Sequence, residues 1–116
     1  MNEKSEKVKI ELLFSKTCAY CPAARKMIKK SEKLYPNKLD VLEVDIESVG
    51  GRTRAKIFSV QGTPAIAING ILTFRGVPPS QTALNKEIEK YLSEEAKKKA
   101  RKIEKKQRDQ VNMMYS

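Results

Sequence analysis

Cys18 and Cys21 are the two cysteines of this chain, spaced Cys-x-x-Cys, and they are its clearest chemical asset. Histidine is absent, which removes Ser-His-Asp, Cys-His and His-ligated metal schemes together. Two cysteines three positions apart cannot staple distant parts of a scaffold. They can close a small, easily reduced ring, which points to redox exchange in a reducing compartment. Two plainer readings stand beside this one. Half a zinc site needs four ligands, so zinc here requires two pairs from two chains. Free cysteines are also often simply buried. The position of the pair weighs against both.

Val8, Ile10, Leu12 and Phe14 alternate with Lys9 and Glu11, the period of a half-buried strand. Ser15 to Thr17 break it. Ala23, Ala24, Met27, Ile28 and Leu34 then follow at helical spacing, with Lys and Arg on the other face. Pro22 suits a first helical turn, where its missing N–H is not needed. The spacing predicts a helix from near Cys18 to the turn signal Tyr35-Pro36-Asn37. The pair therefore sits between a strand and the positive end of a helix, which stabilises a thiolate and lowers the pKa of Cys18 below the free value of about 8.5. Cys18, at the loop edge, is expected to attack a substrate disulfide. Cys21, one turn inside, is expected to resolve the mixed disulfide.

A second strand is predicted over Leu39 to Ile46, a short helix over Arg52 to Val60 ended by Gly62, and two strands, Ala65 to Ile68 and Ile71 to Phe74. Asn69-Gly70 between these two is a strong type I′ hairpin signal. Ser80 caps a last helix in which Leu84, Ile88, Leu92 and Ala96 recur every four residues. The order β-α-β-α-β-β-α predicts an α/β fold with a four-stranded mixed sheet and helices on both faces.

At 116 residues, 40% hydrophobic and 33% charged, the composition is globular. No apolar run reaches the roughly 18 to 20 residues that span a bilayer, so no transmembrane segment is expected. Met1 to Lys7 is polar, so no secretory leader is expected either. Net charge is +10, and residues 94–110 hold eight basic and four acidic side chains. Residues 1–93 are read as the domain. Residues 94–116 are read as a basic helical extension, solvated and outside the core from Ala96 onward. It serves either solubility or the docking of an acidic partner, nucleic acid or an anionic membrane. Its only aromatic is Tyr115, which argues against nucleic acid as the main ligand.

Phe14-Ser15-Lys16-Thr17-Cys18-Ala19-Tyr20-Cys21-Pro22 resembles the active site of the thioredoxin and glutaredoxin superfamily. Val60-Gln61-Gly62-Thr63-Pro64-Ala65 resembles its second signature, and the pattern over Lys7 to Leu92 is most similar to the small archaeal thioredoxins. The resemblance implies a thioredoxin fold and a cis Thr63–Pro64 bond facing the cysteines. It implies a substrate platform of Thr63 and Pro64, with Ala19 and the exposed ring of Tyr20 beside it. It also implies a cytoplasmic, monomeric reductase of protein disulfides that needs no metal or bound cofactor and draws electrons from a thioredoxin-reductase-like donor or a small thiol.

Leu12 stands where larger thioredoxins carry a buried Asp, and Arg75-Gly76-Val77-Pro78-Pro79 stands where glutaredoxins grip glutathione. A protein dithiol exchanger is therefore expected over a glutathione-linked reductase. A non-enzymatic interaction protein using the basic arm is the rival from another class. Lys16 either adds positive potential to the thiolate or is one more exposed base.

Overall fold

The computed structural model describes residues 7–115. Met1 to Glu6, which carry most of the expectation of a start without a leader, lie outside the described residues, as does Ser116. Four strands, β1 (Val8–Phe14), β2 (Leu39–Asp45), β3 (Ala65–Ile68) and β4 (Ile71–Arg75), form one sheet in the order β2-β1-β3-β4. β1 and β2 are parallel, from Val8 opposite Leu39 to Phe14 opposite Asp45. β3 runs antiparallel to both β1 and β4. Asn69 and Gly70 turn the hairpin at φ 49° and 80°, the left-handed pair that a type I′ turn requires. The mixed sheet and element order of a thioredoxin fold are as the sequence predicts.

One face of the sheet carries the core. Val8, Ile10, Leu12, Ile66 and Ile68 point into it by strand alternation. Helix α1 (Cys21–Leu34) covers them with Ala24, Ile28 and Leu34, and α3 (Gln81–Glu89) with Leu84 and Ile88. Each fully buried Ile or Leu contributes about 1.5 to 3 kcal/mol. The other face carries Glu11, turned opposite to Ile10 and Leu12. Helix α2 (Val49–Ile57) covers it, and Arg54 there meets the Glu11 carboxylate through Nε at 2.9 Å and Nη2 at 2.5 Å. The same guanidinium lies 4.6 Å from the centre of the Phe58 ring.

Three boundaries differ from the sequence reading. The α1 helix begins at Cys21, because Tyr20 takes the N-cap and the Cys18 N–H turns back to the Ser15 carbonyl at 3.3 Å. The α2 helix begins at Val49 and ends at Ile57, well before Gly62. Ser48 is its N-cap, accepting the Gly51 N–H at 3.0 Å and donating to the Asp45 carbonyl at 2.6 Å. A side chain at Gly51 would overlap that Asp45 carbonyl, so the corner needs glycine.

The predicted last helix is two helices. The chain turns over Lys90 to Leu92, and Ser93 Oγ accepts the Ala96 N–H at 3.2 Å to start α4 (Glu94–Tyr115). Glu94 and Glu95 then suit its positive end. The start of α4 is no solvated tail. Ala96 and Ala100 are buried, at 7% and 1% exposure, and Ile103 packs against the core. Small side chains let this helix approach α1 closely. Among the described residues no helix is long and apolar enough to cross a membrane.

Candidate active site

The Cys-x-x-Cys pair occupies the junction between the end of β1 and the start of α1. Cys21 opens the helix and is buried at 2% exposure, whereas Cys18 sits in the loop and is half-buried. The two sulfurs are joined in a disulfide, with Cα atoms 5.5 Å apart. Ala19 and Tyr20 between them are exposed, Tyr20 at 69%.

The helix start is electrically open. Tyr20 supplies no side-chain cap and the first turn holds no acidic residue. Pro22 has no N–H, and the N–H groups of Cys21 and Ala23 precede the first intrahelical bond, which runs from the Ala24 N–H to the Tyr20 carbonyl at 3.3 Å. No acidic side chain of that first turn offsets the positive macrodipole. Lys16, in the same loop, is exposed.

A second loop meets the first. Thr63–Pro64 is a cis peptide bond, as the resemblance implies. Pro64 is buried and Thr63 half-buried. Thr63 Oγ1 lies 3.3 Å from Ser15 Oγ, a hydrogen bond that ties the two signature segments across 48 positions of sequence. Beside Thr63 lies a shallow depression of about 340 Å³, lined by Val60 to Ala65 with Arg75 and Gly76. Arg75 donates from Nη1 to the Ser59 carbonyl at 3.0 Å, bracing that loop from β4.

One turn into α1, Arg25 holds the helix to the sheet. Its Nε lies 3.0 Å from both Glu43 carboxylate oxygens, and its guanidinium stands 5.4 Å from the Phe14 ring centre. The pair is partly exposed, so it orients more than it stabilises.

The acid that larger thioredoxins bury beneath the second cysteine is not at residue 12, since Leu12 is 1% exposed in the apolar core. The neighbouring Glu11 faces the other side of the sheet and is committed to Arg54. Hydrogen bonding to Glu11 raises the Arg54 pKa. Sequence reading missed both clamps, Arg25–Glu43 and Arg54–Glu11. No local spacing announces a pair 18 or 43 residues apart.

The thioredoxin-domain family profile matches residues 7–93. A protein described as a probable thioredoxin from Methanothermobacter marburgensis is 39% identical over 85 residues, which is 71% of this chain and 98% of the relative. The thioredoxin of Methanocaldococcus jannaschii is 33% identical over 86 residues, 74% of this chain and 98% of the relative. Mitochondrial thioredoxin 3 of Saccharomyces cerevisiae, in its oxidised form, superposes with a TM-score of 0.59. It is 21% identical and matches over 75% of this chain and 81% of its own, a likeness of fold alone.

Proposed function

Because the chain belongs to the thioredoxin family and is a thiol-disulfide oxidoreductase of the Cys18–Cys21 pair, we propose that it reduces protein disulfides with Cys18 as nucleophile and Cys21 as resolving thiol. One observation carries the assignment of roles. Cys21 is buried at 2% exposure, while Cys18 is half-buried in the loop before an uncapped helix start.

In the reduced protein the helix start favours the thiolate of Cys18. Its sulfur attacks one sulfur of the substrate disulfide. A mixed disulfide forms, the substrate S–S bond breaks, and the departing substrate thiolate takes a proton from water. Cys21 then loses its proton and attacks the Cys18 sulfur. The intramolecular disulfide forms and the second substrate thiolate leaves. Two electrons have passed to the substrate. The second step is fast because both thiols belong to one helix start. A thioredoxin-reductase-like donor or a small thiol returns the two electrons.

Thr63 and Pro64, with the exposed Ala19 and Tyr20, form the substrate platform in this reading. The Thr63 main chain pairs with an extended substrate segment around the scissile disulfide. Residues 1–93 are the catalytic unit, and α4 is an addition to it. The protein works as a cytoplasmic monomer.

Trapping tests the roles. Cys21→Ser should accumulate a mixed disulfide between Cys18 and a disulfide substrate such as insulin, visible by mass under non-reducing conditions. Cys18→Ser should not. Accumulation on Cys21 in the Cys18→Ser protein instead would reverse the assignment. The direction of flow is read from the reduction potential. A value near the thioredoxin range of about −270 mV makes the protein a reductant, and one near −120 mV makes it a disulfide donor.

A further inference from the structure

The helix that the family profile does not reach has a docked face and a free one. The profile stops at residue 93, and α4 begins at Glu94. Ala96, Ala100 and Ile103 turn inward onto the core. Lys98, Lys102 and Lys105, spaced four and three apart, form one exposed ridge on the opposite side. A second ridge stands on α1, where Lys26, Lys29, Lys30 and Lys33 are all exposed. The two helices share a seam. A shallow depression there is lined by Lys30, Lys33 and Leu34 of α1 and by Glu104 and Gln107 of α4. Docking α4 thus places a second lysine-bearing helix against α1, with Glu104 at the seam between them.

We propose that the α1–α4 surface binds the phosphate backbone of a nucleic-acid duplex, without regard to sequence. The chemistry selects this occupant among the anionic ones. A helix that enters a membrane surface needs a free apolar face, and over residues 94–109, where the side chains are described, the apolar positions Ala96, Ala100 and Ile103 are spent on the core. Protein interfaces rest on aromatic and aliphatic anchors and are poor in lysine, whereas residues 94–109 hold no aromatic residue and carry eight exposed or partly exposed basic side chains against four acidic ones, Glu94, Glu95, Glu104 and Asp109. Single strands need aromatic platforms to stack on, and this surface has none among its described exposed side chains. What remains is an array of ammonium groups on flexible stems, borne by two helices, which suits sequence-independent contact with phosphates.

The seam between α1 and α4 lies at the end of α1 away from the dithiol. The α1 helix is 14 residues long, so about 21 Å separate its sulfur-bearing start from its other end. Lys30 and Lys33, at the seam with α4, lie in the last turns.

Fluorescence anisotropy of a labelled DNA duplex of about 20 base pairs, titrated with the full chain, tests the proposal. Binding at about 50 mM salt should be equal for unrelated sequences. It should weaken about 100-fold by about 200 mM salt, as release of counterions from about four phosphates requires. The triple variant Lys98→Glu, Lys102→Glu, Lys105→Glu should bind at least about 30-fold more weakly, with a flatter salt slope and unchanged insulin reduction. Lys26→Glu with Lys33→Glu should weaken binding by a smaller factor. The proposal is overturned if no binding occurs at low salt or if the α4 variant binds like the parent. It is overturned equally if phosphatidylserine vesicles or polyglutamate bind as tightly as the duplex.

Discussion

The two ends of α1 are finished in opposite ways. At its start the helix has no side-chain cap, no acid in its first turn and a proline that donates nothing, and it leaves Cys18, Ala19 and Tyr20 in contact with water. At its end the buried polar side chains are engaged. Ser31 is fully buried and donates to Asn85 Oδ1 at 2.7 Å, while Gln81 Nε2 donates to Ser31 Oγ at 3.0 Å and to the Met27 carbonyl at 3.1 Å. Tyr35, 2% exposed, donates its hydroxyl to Glu89 at 2.6 Å. The contrast shows how a helix can keep one end bare for chemistry. Its position is set by α3 and α4 at the far end and by the Arg25–Glu43 pair one turn in, so the start needs no stabilising cap that would cover the sulfurs or offset the positive field.

The comparison can be broken from either end. The largest effect belongs to the open end. Cys18→Ser should lower insulin reduction by about 1000-fold or more, equivalent to about 4 kcal/mol in the barrier. The reduced variant should unfold in urea at nearly the midpoint of the reduced parent. A large loss of stability there would mean that the bare end also holds the fold. In the middle of the helix, Ile28→Ala removes a core side chain. It should cost about 3 kcal/mol in urea unfolding while leaving the rate per folded molecule within about threefold.

Tyr35→Phe, at the closed end, should cost about 1 kcal/mol and change the response to alkali. Burial first, and the bond to Glu89 second, hold the Tyr35 pKa well above its ordinary value. Above about pH 10 the unfolded chain gives up this proton and the folded chain keeps it, so stability should fall with rising pH, by up to about 1.4 kcal/mol per unit. Below that pH the contribution is flat. The Phe variant should lose this component of the slope, measured by urea midpoints from pH 8 to 11. The smallest effect is expected from Arg25→Ala. Its partly exposed pair with Glu43 should contribute about 0.5 kcal/mol, read in the same titration.

The open end was the legible end. Its cysteines, its proline and the Thr63-Pro64 motif are local signals, and the strands around them show clean alternation. The closed end was not. Tyr35 reads as part of a turn, and nothing near it in sequence names Glu89, 54 positions on. The four-residue rhythm through Leu92 and Ala96 read as one helix because both helices present apolar residues at the same period. Ser93 followed by Glu94 and Glu95 is the start signal that separates them, and a cap can be read only once a break is sought. Ala100 and Ile103 extend that rhythm only weakly, and a methyl group such as that of Ala100 buries little area. Its value lies in the close approach it permits, which no hydropathy pattern expresses.

The closed end also has an optical consequence. The chain has no tryptophan and four tyrosines, so its near-ultraviolet absorbance is a tyrosine spectrum unmasked by indole. Tyr20 and Tyr91 face solvent, whereas Tyr35 shares its proton with Glu89 in the interior, beside Arg101 and Glu104 of the added helix. In an alkaline titration followed by phenolate absorbance, the Tyr35 phenolate is therefore held back well above its ordinary range. Its appearance reports the opening of the packing among α1, α3 and α4, without a label and in the unmodified protein.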